Sequence, residues 1–199
     1  MLRWPAALLV LLLGTGAGAQ ETHDGTTTAI RMIDSAHSRA EFEVKVLWLV
    51  GVHGSFDAVY GEVAIDRFRS MARVDARIHV NNVTMRNHKY EDWVKSDEFF
   101  DVKNFPEIRF VSDWFELGRL ETGGALEGVL TMRGTEHRER FEIAPSDCIA
   151  SAVSTCPAIV TGSVRRSDFG MHSRRGALSD KVELSFSIYV SAEDNAAAH

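Results

Sequence analysis

The chain has 199 residues, a length typical of one domain once any targeting segment is removed. Its residues are 45% hydrophobic and 25% charged, which is the composition of a globular protein and not of a disordered one. The formal net charge of −6 argues against nucleic acid as a partner and against an anionic membrane surface as the main partner.

Residues 1–19 predict a cleaved signal peptide. Arg3 supplies a positive charge, the apolar run 6–13 is too short to span a bilayer, and Ala17-Gly18-Ala19 fits the small-residue pattern of a cleavage site. A retained membrane anchor is the alternative. We therefore predict a periplasmic protein without stable membrane insertion.

Nine segments of the chain predict β-strands, because apolar and polar residues alternate along them. A polar stretch, residues 20–29, precedes them and predicts a flexible mature N-terminus, and residues 193–199 predict a frayed tail. One strand is short, and eight are longer. In chain order they cover residues 30–34, 40–46, 55–66, 72–80, 107–117, 125–133, 137–144, 158–166 and 181–190.

Residues 87–96 predict the one helix. Tyr90, Trp93 and Val94 have the i, i+3, i+4 spacing of one helix face, and Asn87 is a suitable N-cap. An aromatic helix within a series of strands is suited to cover the end of a barrel. The alternative is that its aromatic side chains only close the end of a core.

The short turns between the strands predict an all-β fold in which sequence neighbours pair antiparallel. Closure of the eight main strands into a barrel would remove the exposed sheet edges. A two-sheet sandwich is the structural alternative. An eight-stranded barrel is either filled by side chains or holds one small ligand.

The two cysteines, Cys148 and Cys156, predict a local disulfide in an exported protein. It would stabilise the loop by roughly 2–3 kcal/mol on the loop-entropy model. A metal-binding or catalytic thiol is the weaker interpretation, since no histidine lies nearby at ligand spacing and the separation is not C-x-x-C.

The sequence contains no catalytic motif that we would assign, so we predict no catalytic residue and no enzyme. Its eight histidines form no close pair at metal-ligand spacing, and we predict no metal site. His53 and His88 lie in loops suited to the mouth of a barrel. Arg165 and Arg166 end a strand, where a charge pair on the surface is the default interpretation and anion binding the alternative.

Six segments, in this order and spacing, resemble the YceI-like family over residues 30–190. They read IDSAHSRAEFEV, GEVAID, SDEFFDVKNFPEIRF, LEGVLTMRGTEHRERFEI, RRSDFGM and LSDKVELSFSIYV. The resemblance implies a lipocalin-like, eight-stranded antiparallel barrel, closed at one end by the helix, over residues 30–192. Its apolar tunnel would hold an isoprenoid chain with the polar head near the mouth.

One segment departs from the family pattern. Many members carry an Arg-Asp-x-His-Leu run before the segment equivalent to SDEFF, and here those positions include Tyr90, Glu91, Trp93 and Val94. The charged Arg and the His are thus replaced by aromatic residues. If they contact the head group in relatives, this chain should prefer a different or less anionic one.

We therefore predict a periplasmic binding or carrier protein for a long-chain isoprenoid or similar amphipathic lipid, such as a polyprenyl, quinone or fatty-acid derivative, with no cofactor besides this ligand. A homodimer is compatible with such a barrel, although no residue argues for one. The predicted ligand-binding residues are Phe42, Val44, Trp48, His53, Phe56, Ile78, Tyr90, Trp93, Phe99, Phe110, Leu184, Phe186 and Ile188.

Two other classes of function stay open at this stage. A hydrolase or a quinone-modifying enzyme would need a general base in the cavity, for which His53, His88 and Glu91 are the candidates. An interaction module would have a filled barrel and an exposed apolar patch around Trp48 or Trp93.

Overall fold

The structure is a computed structural model that describes residues 28–147 and 154–192. The predicted signal peptide, residues 20–27 and the tail 193–199 lie outside the described residues. Cys148 does too, so its disulfide with Cys156 stays a prediction.

The described residues form mostly β-strands. In chain order the elements are β1 Thr28–Met32, β2 Arg39–Val46, β3 Val50–Phe56, β4 Tyr60–Asp66, β5 Met71–His79, β6 Val83–Met85, α1 His88–Lys95, β7 Glu107–Ser112, β8 Phe115–Glu116, α2 Arg119–Thr122, β9 Gly124–Met132, β10 Thr135–Ile143, β11 Ala158–Arg165 and β12 Leu178–Ile188, with 3-10 turns at Val80–Asn82 and Arg166–Phe169.

All the described strands join one curled antiparallel sheet in the form of a half-barrel. Eleven strands follow the order β1-β4-β5-β7-β9-β10-β11-β12-β2-β3-β6, and the two-residue strand β8 pairs with β5 beside this path. A bridge between Ile33 and Val190 connects the chain just after β1 to the chain just after β12. The predicted all-β, antiparallel, lipocalin-like fold is therefore confirmed.

The strand count differs from the predicted eight because two predicted strands are interrupted and others were not predicted. The predicted strand 55–66 spans the end of β3, a break at residues 57–59 and all of β4. The predicted strand 107–117 breaks between β7 and β8. The inward-facing residues change phase at each break, from Phe56 to Val59 and from Phe110 to Phe115, because the chain leaves the hydrogen-bonded ladder there. A strand prediction that carries one phase of alternation through the whole segment therefore misses both breaks.

Helix α1 confirms the predicted helix. The side chain of Asn87 accepts a hydrogen bond from the N–H of Lys89 at 3.1 Å, and Ser96 ends the helix. Neither helix in residues 28–147 and 154–192 has the length and apolar character needed to cross a bilayer.

Two hairpin turns show different uses of the left-handed backbone. The β9–β10 turn places Arg133 at φ 51° and Gly134 at φ 71°, which suits a tight two-residue turn. The β2–β3 turn places Leu47 at φ 48° and Trp48 at φ 64°. Large side chains are unfavourable in this region.

Candidate functional site

The inner face of the sheet surrounds a cavity of about 490 Å³. This volume lies within the range of roughly 300–1,000 Å³ that is typical of ligand sites. Its wall is apolar along most of its length, with α1 residues at one end and Leu117 and Leu120 at the other. The cavity is therefore suited to an elongated apolar molecule.

Glycines opposite aromatic rings help to keep this cavity open. A Cβ atom at Gly54 would lie 2.3 Å from the ring of Phe42, and one at Gly162 would lie 2.4 Å from the ring of Phe141. Each ring thus lies directly against the sheet backbone at a position without a side chain. The rings line the wall in edge-on contact, Phe141 with Phe110 and Phe186.

Eleven of the predicted ligand-binding residues lie on the cavity wall, because the inward faces of the strands carry the alternating apolar residues. Their contact with a ligand stays a prediction. They are Phe42, Val44, Phe56, Ile78, Tyr90, Trp93, Phe99, Phe110, Leu184, Phe186 and Ile188.

The other two predicted residues, Trp48 and His53, lie away from this wall, and their contact with a ligand also stays a prediction. Trp48 is at the β2–β3 turn, where its side chain is exposed. His53 alternates to the outer face of β3, where its Nδ1 lies 4.0 Å from the carboxylate of Glu43. The exposed apolar patch around Trp48 was the predicted sign of an interaction module, but the barrel interior is not filled as that hypothesis requires.

Polar groups occur in the wall at the α1 end. The guanidinium carbon of Arg174 lies 4.7 Å from the ring centroid of Trp93, and the indole N–H of Trp93 donates to Glu98 at 2.9 Å. Arg174 also lies 3.6 Å from Glu98. Arg174, Trp93 and Tyr90 line the cavity, so a polar head group at this end would find partners.

Arg166 is the residue whose place the sequence pattern missed. The default interpretation was a surface charge, but its side chain is 2% exposed and contributes to the cavity wall. Its guanidinium donates to the carbonyl oxygens of Ser179, Met171, Ser173 and Leu178 at 2.7–3.3 Å. Burial lowers the pKa of Arg166, because it penalises the charged form.

Arg166 thus holds together the loop between β11 and β12. The neighbouring Ser167 donates to Asp180 from its N–H at 3.0 Å and its hydroxyl at 2.7 Å. Burial acts to raise the pKa of Asp180, but these two bonds and the nearby Arg166 outweigh burial, and the pKa is lowered. The sequence carries no local signal for the burial of Arg166, because the groups that accept its hydrogen bonds are backbone carbonyls, which every residue has.

Two of the three candidate general bases of the enzyme hypothesis, His88 and Glu91, pair with each other on helix α1. His88 Nδ1 lies 3.1 Å from Glu91, and the other carboxylate oxygen of Glu91 accepts the N–H of Met85 at 2.8 Å. The hydrogen bond from Met85 is the main cause of a lowered pKa of Glu91, and the bond with His88 lowers it further. The same bond with Glu91 raises the pKa of His88. Glu91 therefore fastens α1 to β6, and neither residue lines the cavity.

One group of side chains, in β10 and in the 3-10 turn at Arg166–Phe169, has the composition of a cation site. His137 hydrogen-bonds Glu139 at 3.0 Å and lies 4.0 Å from Asp168, and their ligand atoms fall within 4.8 Å of one another. Different nitrogens of His137 face the two carboxylates, which is the geometry of an ion-pair network and not of one shared ligand atom.

Comparison with known proteins places this sequence among described families. The YceI-like domain matches residues 32–190. Proteins called UPF0312 from Staphylococcus aureus strains MSSA476 and N315 are 28% identical over 158 residues, which cover 76% of this chain and 87% of each relative.

Solved structures share the fold at low sequence identity. BcnA of Burkholderia cenocepacia has a TM-score of 0.64 at 21% identity, covering 80% of this chain and 99% of BcnA. A polyisoprenoid binding domain from Saccharophagus degradans has a TM-score of 0.61 at 12% identity, covering 83% of this chain and 99% of that domain. The YCEI protein of Campylobacter jejuni has a TM-score of 0.51 at 20% identity, covering 70% and 85%.

Proposed function

Because this chain belongs to the YceI-like domain family, we propose that it binds and carries a long-chain isoprenoid or a similar amphipathic lipid. The observation that carries the proposal is the 490 Å³ cavity with an almost wholly apolar wall. Burial of a chain contributes roughly 0.8 kcal/mol per methylene, so such a wall binds tightly with few polar contacts.

The ligand lies with its polar head at the α1 end of the cavity. Arg174, Trp93 and Tyr90 supply a cation, an indole ring and a hydroxyl in the wall there. The remaining wall offers apolar contacts to the chain. The fold neighbour from Saccharophagus degradans is described as polyisoprenoid binding, which supports this class of ligand.

The same proposal includes a periplasmic location. Its support is the pattern of residues 1–19, with Arg3, the apolar run and the Ala17-Gly18-Ala19 site. In that compartment the chain carries lipid between membranes or holds it for another protein, and Cys148 and Cys156 form a disulfide.

The test is native mass spectrometry of the protein isolated from the periplasm of its host, followed by organic extraction of what it carries. We expect one lipid per protein chain, with a long apolar tail. The intact mass also shows whether the chain is cleaved after Ala19 and whether two hydrogens are lost in a disulfide. The mass of the native assembly gives the oligomeric state.

The control is protein stripped of lipid and offered a detergent-dispersed polyprenyl lipid. We expect the stripped protein to take up one molecule. A protein that arrives empty and stays empty under this treatment contradicts the carrier function. A short hydrophilic metabolite as the extracted ligand would contradict it as well, because the cavity wall could not satisfy its polar groups.

A further inference from the structure

The turn between β2 and β3 presents an apolar surface to solvent. Leu47, Trp48, Leu49 and Val50 are 61%, 66%, 87% and 61% exposed. We call these four residues the apolar tip. Water contact with adjacent large apolar side chains is unfavourable, so a cluster of this kind marks a contact surface.

The backbone of the apolar tip is strained to hold these residues. Leu47 and Trp48 have φ angles of 48° and 64°, where glycine, asparagine and aspartate are the favoured residues. Leu and Trp at these positions cost folding energy, and such costs cluster at functional sites. Local turn stability therefore does not explain the apolar residues.

The apolar tip is continuous with the cavity. Val46 and Val52, which lie in β2 and β3 just below the tip, both line the cavity. The N–H of Leu47 donates to the carbonyl of Ala177 at 2.7 Å, and Ala177 and Arg174 also belong to the wall. The tip thus stands at the end where Arg174 meets Trp93 of α1.

Two chain segments that meet at the apolar tip contain no acidic residue. Residues 44–56 and 169–179 carry Lys45, Arg174 and Arg175 but neither Asp nor Glu, in a chain of net charge −6. Glu98 accompanies Arg174 at 3.6 Å, and the carboxylate of Glu43 lies against Gly51 of the same hairpin. Of the three cations, Lys45, Arg174 and Arg175, one positive charge therefore remains in local excess. This sign is complementary to anionic phospholipid head groups.

We propose that the apolar tip docks the protein on a bilayer containing anionic phospholipid, with the α1 end of the cavity facing the lipid. Trp favours the membrane–water interface, and Lys and Arg beside it are attracted to anionic head groups. A stable protein partner would need an interface of roughly 1,200–2,000 Å² in total, which four side chains do not supply. The net negative charge of the whole chain keeps this docking reversible.

The inference rests on the proposed function for its purpose, which is loading of lipid from the bilayer. The docking itself is measured separately, by co-sedimentation with vesicles of phosphatidylcholine and phosphatidylglycerol. In the double variant Trp48→Ser and Leu49→Ser, we expect binding to weaken by about tenfold or more, since two apolar side chains no longer enter the interface. Higher salt or vesicles of phosphatidylcholine alone should weaken wild-type binding too.

Phe68→Ser is the matched control. Phe68 is 94% exposed at the β4–β5 turn. Six antiparallel steps along the sheet lead from β2 to β5, so β2 and β5 point the same way and the β4–β5 turn lies at the opposite end from the tip. We expect this variant to bind vesicles as the wild type does.

Two outcomes overturn the docking proposal: unchanged binding by the tip variant, or an equal loss in the Phe68→Ser variant. A parallel assay offers each protein a detergent-dispersed polyprenyl lipid, which needs no bilayer. Normal uptake there with weakened vesicle binding supports the docking proposal. Absence of uptake by every protein would count against the carrier function, while the vesicle result would still decide the docking.

Discussion

Arg166 is the side chain on which most of the loop between β11 and β12 depends. Its guanidinium is the donor for four carbonyl oxygens, and the side chain is buried. A buried carbonyl group that loses its donor keeps the free-energy cost of desolvation, and no hydrogen bond offsets that cost. Arg166 therefore stabilises the fold by holding together the backbone segments whose carbonyl groups it binds.

The first prediction concerns this residue. Arg166→Met should lower the free energy of unfolding by about 3 kcal/mol or more, because four carbonyl groups lose a charged donor. Arg166→Lys should lower it less, since one ammonium group cannot reach all four oxygens. Urea unfolding measures both.

Arg165→Met is the control for that prediction, because Arg165 is the exposed neighbour on the same strand end. We expect a change within about 0.5 kcal/mol there. Equal stability of the Arg166→Met protein and the wild type would contradict the role given to the buried guanidinium.

Helix α1 is the element that covers the polar end of the cavity. None of its residues is fully buried, although Tyr90, Trp93 and Val94 line the cavity. The carboxylate of Glu91 ties it to β6 through the N–H of Met85. A helix with so little burial depends on such a tie, and it opens more readily than the sheet.

The second prediction is that acid releases this helix. The folded-state pKa of Glu91 is lowered from its ordinary 4.5, so its bonds stabilise the folded state above pH 4.5 and are lost as the pH falls through the lowered value. Hydrogen exchange of the α1 amides should therefore accelerate at acid pH. Glu91→Gln should accelerate exchange already at neutral pH.

Asp92→Asn provides the comparison, because Asp92 is an exposed carboxylate on the same helix. In the Asp92→Asn protein, the α1 amides should exchange at neutral pH at the same rate as in the wild type. If the Glu91→Gln and Asp92→Asn proteins exchanged equally, the bond to Met85 would not be what fastens α1.

The helix and the strands differ in how well the sequence predicts them, for physical reasons. Helix α1 has a local cap at Asn87 and an apolar face at Tyr90, Trp93 and Val94, so its signals lie within one segment. The break between β3 and β4 at residues 57–59 depends on which distant strands pair with each half. Alternation assigns faces to residues but not the ends of their ladders.

The candidate site shows the same limit. Period-two alternation predicts wall residues such as Phe42, Val44 and Leu184 correctly as inward-facing. Trp48 follows directly in the apolar run but lies beyond the last pair of the β2–β3 ladder, where the chain reverses. The buried place of Arg166 is visible only in three dimensions, because all four carbonyl groups that accept its hydrogen bonds belong to the backbone of segment 171–179.

At the scale of the whole molecule, the cavity is the property that the fold has to maintain. Closely spaced apolar side chains would fill such a space in an ordinary core. Here glycines opposite Phe42 and Phe141 let the rings lie against the sheet, and the centre stays open. Stability is given up for space that a ligand restores on binding.

The third prediction is that filling this space blocks the ligand. Ala76 lines the cavity on β5, so Ala76→Phe should weaken lipid binding by about tenfold, the effect of excluding two methylenes at roughly 0.8 kcal/mol each. Titration of stripped protein with a fluorescent long-chain lipid measures this affinity.

Ala64→Phe is the matched control, since Ala64 on the neighbouring strand β4 lies between Val63 and Ile65, which face the cavity, and itself faces outward. We expect unchanged lipid binding. A folded Ala76→Phe protein, verified by circular dichroism and thermal unfolding, that bound lipid normally would show that the ligand lies elsewhere.

The pairing of β12 with β2 has a consequence for the order of folding. Ser38 and Tyr189, 151 residues apart, are joined by hydrogen bonds where these strands meet. Bringing together two segments so far apart in the chain costs conformational entropy before their contacts can form. The β2–β12 pairing therefore forms after the local hairpins. The chain therefore folds slowly, in the millisecond-to-second regime of non-local β-proteins, and a nascent chain that still lacks β12 has no enclosed cavity.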